Sequence, residues 1–450
     1  INVRIVDSSH LSIECLKQDI RYQPVNYVAI DRVGVANSSF TSLIVGFGST
    51  GKDALRFLYE FGALVGKTGR SPFYCYVVDK NMSTVKGAMM NASPRVFDSC
   101  NSTGDKMVSL YKMDYNSEEF YNNLLKNIAP TLNYVVIATG NDEEGMTLAV
   151  RILNFLKRAG HDMNRLRIFV RSYKTDVLPH LHKIRDHYNE DREHIVIFGR
   201  QDDIFTYDMI ISNALEERGK EYYDAYRALN PDFDEDGTWT QRRHKLKGLS
   251  RLEKIGIESQ TGAPKFKETF FDRPKCATID NLQKLRRKET QDKYNALHES
   301  TKLFVLDKAC PSWRTAMLPH VFEFIDTGNG VIIKRKRKNN YEANPKTVVY
   351  EEMTAEQQQL MDNMARLEHL RWVASHEVLG YRPMSDNVPD DQRGCNETLM
   401  QHNCLVSWED LDRESDRISY VNNYKIFDYS VVETTMSTYR GNERKNLIAK

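Results

Sequence analysis

Apolar and polar residues are arranged from residue 41 to residue 202 as expected of strands and helices that follow one another. The run "SLIVGF" is a short, continuous apolar stretch typical of a buried strand. The segment after it, "GKDALRFLYEFGALVG", carries four apolar residues at helical spacing: Ala54, Leu55, Leu58 and Phe61. Further strand patterns are "FYCYVVD", "MVSLYKMD", "NYVVIATG", "RIFVRSY" and "IVIFGR", and the helix pattern "EEGMTLAVRILNFLKRAG" is predicted to close at Gly160. Alternating strands and helices predict an α/β fold with a parallel sheet covered on both faces.

The rest of the chain has a different pattern. An N-terminal segment, residues 1–40, contains a short helical pattern at residues 11–17. Residues 203–354 are predicted to be a mostly helical connecting region, with two short strands around a basic turn within residues 330–353. A small helical domain, residues 355–450, is predicted to open with the long helix "EQQQLMDNMARLEHLRWVASHEVLG".

Composition narrows the class of protein. The net charge of +1 over 450 residues provides no field that would recruit nucleic acid or an anionic membrane. Seven cysteines without CxxC spacing argue against a disulfide framework and for a reducing compartment. No apolar run approaches the roughly 20 residues of a membrane span. A cytoplasmic protein is expected, although the start at Ile1 is that of a fragment or a processed form, with membrane helices upstream of Ile1 as an open alternative.

The string "GFGSTG", residues 46–51, fits the pattern G-x-G-x-x-G between a strand and a helix. In such a turn the first glycine permits a tight bend and the second lets the backbone approach a pyrophosphate. The third glycine lets the helix pack closely on the strand. The helix N-terminus then offers free N–H groups and partial positive charge to phosphate. The candidate contacts here are Gly46, Gly48, Ser49, Thr50 and Gly51, and the alternative is a glycine turn kept only for packing.

Other candidate contacts follow the next strands. Asp79 ends the second strand, where its carboxylate would accept hydrogen bonds from both ribose hydroxyls of a nucleotide. The rim of the same site is predicted to include Lys80, Asp114, Thr139, Gly140, Asn141 and Asp142. Ligands of open parallel sheets lie at the carboxyl ends of the strands, which is where all these residues fall. For Thr139 and Asn141, capping of the helix that contains Glu143 is an equally good interpretation.

The string "LIVGFGSTGKDALRFL…YVVD…KMD…NYVVIATGND" resembles the N-terminal lobe of RCK domains, the regulators of potassium conductance, also called Trk-type NAD-binding domains. The likeness covers about 160 residues. It implies a Rossmann fold that binds NAD(H), ATP, ADP or a related nucleotide at the turn and strand ends described above. It also implies lobes that pair as homodimers and that sense a ligand and do not catalyse.

The long C-terminal helix has two stripes. Met364, Leu367, Ala374 and Val378 form an apolar stripe that is predicted to face the core. Glu368, Arg371, Trp372 and Ser375 form a second stripe with charge and an aromatic face. An arginine beside a tryptophan can stack on a base and pair with a phosphate. The alternative for this stripe is an intrahelical Glu–Arg pair with the tryptophan at the edge of the core.

The segment 355–440 resembles the RyR domain, the helical module named for the ryanodine receptor repeats. The matching residues are Glu368, His369, Arg371, Trp372, Gly380, Tyr381, His402, Leu405, Val406, Trp408 and Leu411. This resemblance implies a second, nucleotide-derived ligand or a partner. Its predicted contacts are Glu368, Arg371, Trp372, Tyr381, His402 and Trp408.

Three weaker sequence signals are better explained by ordinary surface structure than by ligand sites. Residues 232–237 match half of an EF-hand loop but lack its final bidentate glutamate, so an acidic turn is favoured over a calcium site. The basic run 334–338 is predicted to be a solvated hairpin tip, and nucleic-acid binding is not expected. His180 and His182 would not share a helix face, so zinc is not expected either.

The sequence therefore predicts a nucleotide sensor, with an adenine nucleotide in the Rossmann lobe and a second ligand on the RyR-like module. The resemblances imply a place in ion-channel regulation or in nucleotide-signalled antiphage defence. An NAD(P)-dependent oxidoreductase is the alternative from another class, and no histidine, lysine or tyrosine has a specific claim to be its catalytic base. A scaffold with a structural nucleotide is a third possibility.

Overall fold

A computed structural model describes residues 7–173, 179–210, 322–326, 331–335, 355–390, 393–396, 398–417, 424–425 and 428, and the chain divides into two units. The first unit comprises Ile1–Asp31, Val35–Leu215 and Ala374–Gly380. The second comprises Arg32–Gly34, Glu216–Val373 and Tyr381–Lys450. The glycine turn belongs to the first unit, so that unit is described first.

A six-stranded parallel sheet forms the centre of the first unit, in the order β3-β2-β1-β4-β5-β6. The strands are β1 Phe40–Val45, β2 Phe73–Asp79, β3 Val108–Lys112, β4 Leu132–Ile137, β5 Arg167–Arg171 and β6 Ile195–Phe198. The six strand patterns of the sequence are all confirmed. The order reverses between β1 and β4, which makes the first unit a Rossmann-like α/β domain with its crevice at that point.

Helices cover the sheet. In the first unit they are α1 Ser8–Gln18, α2 Ser49–Phe61, α3 Met82–Val85, α4 Gly87–Ala92, α5 Pro94–Asp98, α6 Lys126–Ile128, α7 Asp142–Arg158, α8 Pro179–Tyr188, α9 Gln201–Ile204 and α10 Tyr207–Ile210. A π-helical turn, Phe120–Leu125, precedes α6. The predicted apolar stripe of α2 is buried at Ala54, Leu55 and Leu58. Gly160, with φ +72°, follows the end of α7, as predicted.

The alternation of side chains along β1 shows that both faces of the sheet are covered. Leu43 and Val45 belong to the hydrophobic cluster that also contains Leu148 and Ile152 of α7. Ile44, between them, lies beneath α2, since a Cβ built on Gly51 would stand 3.5 Å from its Cγ2. Every residue of β1 is buried, as expected of a central strand in a parallel sheet.

The strands at the centre of the sheet end at the same level. Val45 pairs with Val78 on one side and with Ile137 on the other. The residues that follow these strands therefore meet at one edge of the sheet. This register brings together the glycine turn, Asp79 and Thr139, which are far apart in the sequence.

The N-terminal helix α1 is part of the first unit. It begins at Ser8 after Asp7, whose Oδ1 accepts a hydrogen bond from the Ser9 N–H at 2.8 Å. Ile13 and Leu16 are buried, and α1 packs against α2. The helical pattern predicted at residues 11–17 is confirmed.

The described parts of the second unit include an antiparallel pair, β7 Phe322–Asp326 and β8 Val331–Arg335. The strand predicted directly after Gly330 is confirmed as β8, whereas its antiparallel partner β7 was not predicted. The sequence alternates apolar and polar residues at 322–324 and continues with "TGNG", a turn signal at residues 327–330. The run 334–338 thus begins within a strand, and residues 346–350 lie outside the described part of the chain.

The long helix predicted near residue 355 is α11 Ala355–Val378, of which residues 355–373 belong to the second unit. The other elements there are β9 Arg382–Pro383, β10 Cys395–Asn396, β11 Gln401–His402 and α12 Leu411–Arg417. The predicted core stripe was wrong at Leu367, which is 38% exposed. Ala374 and Val378 of that stripe are buried, as predicted. The charged and aromatic stripe is buried as well, with Glu368 and Arg371 neutralising one another within the helix.

Candidate functional site

The glycine turn of residues 46–51 links β1 to α2. Gly46 has φ +94°, and a Cβ built on it would stand 2.3 Å from the Ala138 carbonyl oxygen. A Cβ on Gly51 would stand 2.0 Å from the Gly46 carbonyl oxygen. Gly46 therefore permits the bend beside β4, and Gly51 permits α2 to pack on the end of β1. These two predicted roles are confirmed, and both belong to the protein's own packing.

Gly48 differs from the other two glycines of the turn. Its φ of −69° and ψ of −161° are extended backbone that any residue can adopt. A Cβ built on it would meet no atom of the described chain within 4 Å. Gly48 is also exposed. Neither backbone conformation nor packing within the described residues accounts for a glycine here.

The N-terminus of α2 begins at this open position. Gly48 is its N-cap, and no side chain of the described residues caps the helix there. By contrast, Asp7 caps α1 and Asn141 caps α7. The first N–H groups of a helix have no intrahelical acceptor. Those of Ser49 and its neighbours therefore give the exposed end of α2 the partial positive charge and free donors that suit an anion.

Asp79 lies beside the turn, at the end of β2. Its Oδ2 accepts a hydrogen bond from the Phe47 N–H at 2.7 Å, and its Oδ1 accepts one from the Asn81 N–H at 2.6 Å. The carboxylate is half-buried and is fixed in position by these two bonds. A carboxylate has about four lone-pair directions, so acceptor capacity remains for ribose hydroxyls. Lys80 follows on the exposed surface.

The end of β3 carries an acidic side chain and a tyrosine that the sequence reasoning missed. Asp114 is exposed, two residues beyond β3, and its Oδ1 accepts a hydrogen bond from the Asn116 N–H at 2.8 Å. The Tyr115 hydroxyl donates a short hydrogen bond to Glu144 in the first turn of α7. Burial, followed by this hydrogen bond, raises the pKa of Tyr115 above its ordinary value. The bond connects the end of β3 to the helix after β4.

The four predicted residues after β4 serve different purposes. Asn141 caps α7, with its Oδ1 accepting from the Glu144 N–H at 3.0 Å. Asp142 is buried, and its two carboxylate oxygens accept from the Ser172 hydroxyl at 3.1 Å and the Tyr173 N–H at 2.8 Å. Thr139 is half-buried and Gly140 is exposed with φ +88°. The Thr139 hydroxyl donates to the Asn141 carbonyl oxygen at 3.2 Å.

Tyr173, directly after Ser172 at the end of β5, also lies at this edge. Burial raises the pKa of its hydroxyl, while the Arg171 charge and hydrogen bonds with the Thr50 side chain and the Gly140 backbone lower it. Thr50 of the glycine turn and Gly140 after β4 are therefore both neighbours that influence this hydroxyl. Ligands of parallel sheets lie at the carboxyl ends of the strands, so the pattern "RIFVRSY" indicates Tyr173 as well, although the predicted site residues ended with the fourth strand.

Thr50 connects this edge to the N-terminal helix. Its hydroxyl lies 3.1 Å from the Ser9 hydroxyl of α1. The Thr50 side chain is buried, in contrast to Gly48 and Ser49 before it. No local pattern in the sequence relates Ser9 to the turn, since 41 positions separate it from Thr50.

The residues predicted to bind a second ligand lie in the second unit. Arg371 Nε and Nη2 donate to the two oxygens of Glu368 at 2.9 and 3.0 Å. Trp372 is 3% exposed, with its ring centroid 5.0 Å from that of His402 and 6.0 Å from that of His369. This is the arrangement of the alternative interpretation, an intrahelical ion pair beside a tryptophan at the core.

The other two predicted second-ligand residues are also buried. Tyr381 is 8% exposed and Trp408 is 7% exposed, with the Lys425 ammonium 5.1 Å from the Trp408 ring centroid. The second ligand stays a prediction, because the described contacts of these aromatic rings are with the protein itself.

Other classes of site have little support in the described ranges. Within residues 7–173, 179–210 and the shorter described segments, no three His, Cys, Asp or Glu side chains are grouped to hold a metal ion. The half EF-hand at 232–237 lies outside the described residues. Among the described helices, none has both the length and the apolar character needed to cross a bilayer. The described cysteines, Cys15, Cys75, Cys100, Cys395 and Cys404, are free thiols.

A scan against protein-family models, a search of curated proteins and a search of solved structures each found no match to this chain. The resemblance to RCK and RyR modules therefore stays a prediction, and the geometry of the first unit is the main basis for a functional proposal.

Proposed function

We propose that the first unit binds a nucleotide, with its phosphates at the N-terminus of α2 and its ribose at Asp79. The observation that carries this proposal is Gly48, whose missing side chain is required neither by its backbone conformation nor by any described neighbour. A phosphate that approaches the backbone closely would explain why this position has no side chain. The free N–H groups of the first turn of α2 and the fixed carboxylate of Asp79 support the same position.

The predicted site residues would then divide into two groups. Gly48, Ser49 and Thr50 would present N–H donors to phosphate, and Asp79 would accept from the ribose. Asp114, Thr139, Gly140 and Lys80 would form the rim. Asn141 and Asp142 would not contact the nucleotide, because their side-chain oxygens already accept hydrogen bonds within the protein. They would instead hold the N-terminus of α7 in position.

We further propose that the bound nucleotide is a regulatory ligand. An NAD(P)-dependent oxidoreductase would need an acid or base near the nicotinamide. Tyr173, which was not among the residues predicted from the sequence, is the candidate for that role, and burial raises the pKa of its hydroxyl. A raised pKa disfavours the tyrosinate that a base at neutral pH would require, and the role of an acid is tested by the NADH assay described below. The sensor interpretation also agrees with the resemblance to RCK lobes, which implies homodimers and a channel or defence partner.

Calorimetric titration of the full chain with AMP, ADP, ATP, NAD+ and NADH tests the proposal. We compare the wild type with Gly48→Ala and with the control Gly87→Ala. Gly87 is likewise exposed, has no positive φ and, among the described residues, has nothing within 4 Å of a built Cβ. Gly48→Ala should weaken binding at least about tenfold, equivalent to about 1.4 kcal/mol, and Gly87→Ala should leave it unchanged.

Equal affinities for the wild type and Gly48→Ala would refute the position of the site. The absence of binding to any of the nucleotides would refute the function itself. The oxidoreductase alternative is tested separately, by following the absorbance of NADH with a panel of carbonyl substrates. Turnover would reject the proposal of a purely regulatory ligand.

A further inference from the structure

The crevice of a Rossmann sheet has two halves on either side of the strand reversal. One half lies over the ends of β1, β2 and β3, and the other over the ends of β4, β5 and β6. A dinucleotide extends across both halves, with its pyrophosphate at the glycine turn between them. A mononucleotide needs only one half and the turn. The two halves of this site differ in what fills them.

The half toward β2 is open at the turn and provides acceptors. Gly48 has open space in front of its Cα, and Asp79 is held at the adjoining strand end by the Phe47 N–H. Lys80 and Asp114 are exposed at the rim. The open position at Gly48, the acceptor oxygens of Asp79 and the cationic side chain of Lys80 all belong to this side.

In the half toward β5, the half-buried Tyr173 follows the strand end by two residues. Its N–H donates to Asp142 at 2.8 Å and its carbonyl oxygen accepts from Gln201 Nε2 at 3.1 Å, so its backbone is held on both sides. The Arg171 guanidinium lies 4.7 Å from the centroid of its ring. Burial raises the pKa of the Tyr173 hydroxyl, and the neighbouring Thr50 side chain and Gly140 backbone lower it.

Helix α1 adds a second obstruction on this side. The Ser9 hydroxyl lies 3.1 Å from the Thr50 hydroxyl, and the Thr50 side chain is only 3% exposed. The Ser9 N–H is itself bonded to Asp7 at 2.8 Å, so the first turn of α1 is fixed where it meets α2. A second ribose leaving the pyrophosphate toward β4 would meet Tyr173 and this contact.

We infer that Tyr173, together with the α1–Thr50 contact, restricts the site to a single nucleoside phosphate and excludes the second nucleoside of a dinucleotide. The inference rests on the proposed nucleotide site and adds its ligand class. The ligand is a nucleoside mono-, di- or triphosphate, whose phosphates lie at α2 and whose sugar lies toward Asp79. Tyr173 is a specificity-determining residue in this view and has no role in chemistry.

Calorimetry with AMP, ADP and NAD+ on the full chain tests the inference. NAD+ contains the whole of ADP, so its affinity relative to ADP reports directly whether the second nucleoside fits. The wild type should bind ADP at least about tenfold more tightly than NAD+, a difference of about 1.4 kcal/mol. Tyr173→Ala should reduce this ratio about tenfold or more, whereas Tyr173→Phe, which keeps the ring, should retain most of it.

Circular dichroism and thermal unfolding establish that each variant is folded. If Tyr173→Ala does not fold, the ratio in the wild type and in Tyr173→Phe decides the question. NAD+ binding as tight as ADP in the wild type would overturn the inference while leaving the proposed site intact. An ADP to NAD+ ratio unchanged in folded Tyr173→Ala would also overturn it. Failure of every nucleotide to bind would instead refute the proposed function.

Discussion

Gly48→Asp should make the ligand-free protein slightly more stable while abolishing nucleotide binding. Gly48 is the N-cap of α2, where no described side chain performs the capping. Aspartate is among the best N-cap residues, and glycine is inferior to it by a few tenths of a kcal/mol. Its negative charge at a helix N-terminus contributes about 0.3–1 kcal/mol more. The open space around the Gly48 Cα accommodates the new side chain without displacing a described neighbour.

The same carboxylate opposes a phosphate in the same position. Two unit charges about 4 Å apart near a protein surface repel one another by about 4 kcal/mol, which is close to a thousandfold in affinity. The free energy of unfolding should therefore rise by about 0.5–1 kcal/mol without ligand, or about 1–4 °C in melting temperature for a domain of this size. The wild type should gain about 2.7 kcal/mol from ligand at a hundred times its Kd, and Gly48→Asp should gain almost none.

Thermal unfolding with and without ADP measures both effects in one assay. Gly48→Asn is the matched control, because asparagine caps a helix about as well as aspartate but carries no charge. Its loss of affinity should lie between those of the wild type and Gly48→Asp. A lower melting temperature for ligand-free Gly48→Asp would mean that the protein itself requires the glycine. Full stabilisation of this variant by ADP would place the ligand elsewhere.

Three further predictions concern stability. Gly51→Ala should lower the free energy of unfolding by about 1–3 kcal/mol, because its Cβ would meet the Gly46 carbonyl oxygen. A urea titration measures this change, and an unchanged midpoint would contradict the packing role of Gly51. Trp372→Ala should cost about 3–5 kcal/mol in the same assay if the indole is core, whereas a small cost with loss of a nucleotide ligand would favour the predicted second site. Burial lowers the pKa of His194 below 6.5, so the unfolded chain takes up the proton more readily. Its stability contribution is full above pH 6.5 and falls as the pH drops below that value, and His194→Gln should show a shallower loss of unfolding free energy toward acid pH.

The central architecture could be predicted because it depends on periodicities that are local in the sequence. Continuous apolar runs such as β1 and β4 identify strands buried on both faces, and the spacing of Leu55 and Leu58 identifies the covered face of α2. Strand β8 was also predicted, but its partner β7 was missed although its alternation and turn signal are equally local. The alternation at residues 322–324 is short and follows a long segment whose sequence pattern predicts helix.

In α11 the pattern of polarity misled the prediction. The stripe with Glu368 and Arg371 was predicted to hold a ligand, yet both side chains are buried and pair with one another at 2.9 Å, as in the alternative interpretation. Leu367, on the stripe predicted to be core, is 38% exposed. Amphipathic spacing identifies the faces of a helix, but the neighbours that it meets in space decide which face is covered.

The sequence by itself determined the turn at residues 46–51 and the acid at the next strand end, because glycine spacing and strand length are properties of consecutive residues. Only the tertiary structure decided how the three glycines differ. Gly46 and Gly51 are required by contacts with Ala138 and with each other, whereas Gly48 meets nothing in the described chain. The tertiary structure also makes Tyr173, at the end of β5, a neighbour of Thr50 in the turn. Such contacts join residues far apart in the sequence, and their consequences depend on distances that no local pattern encodes.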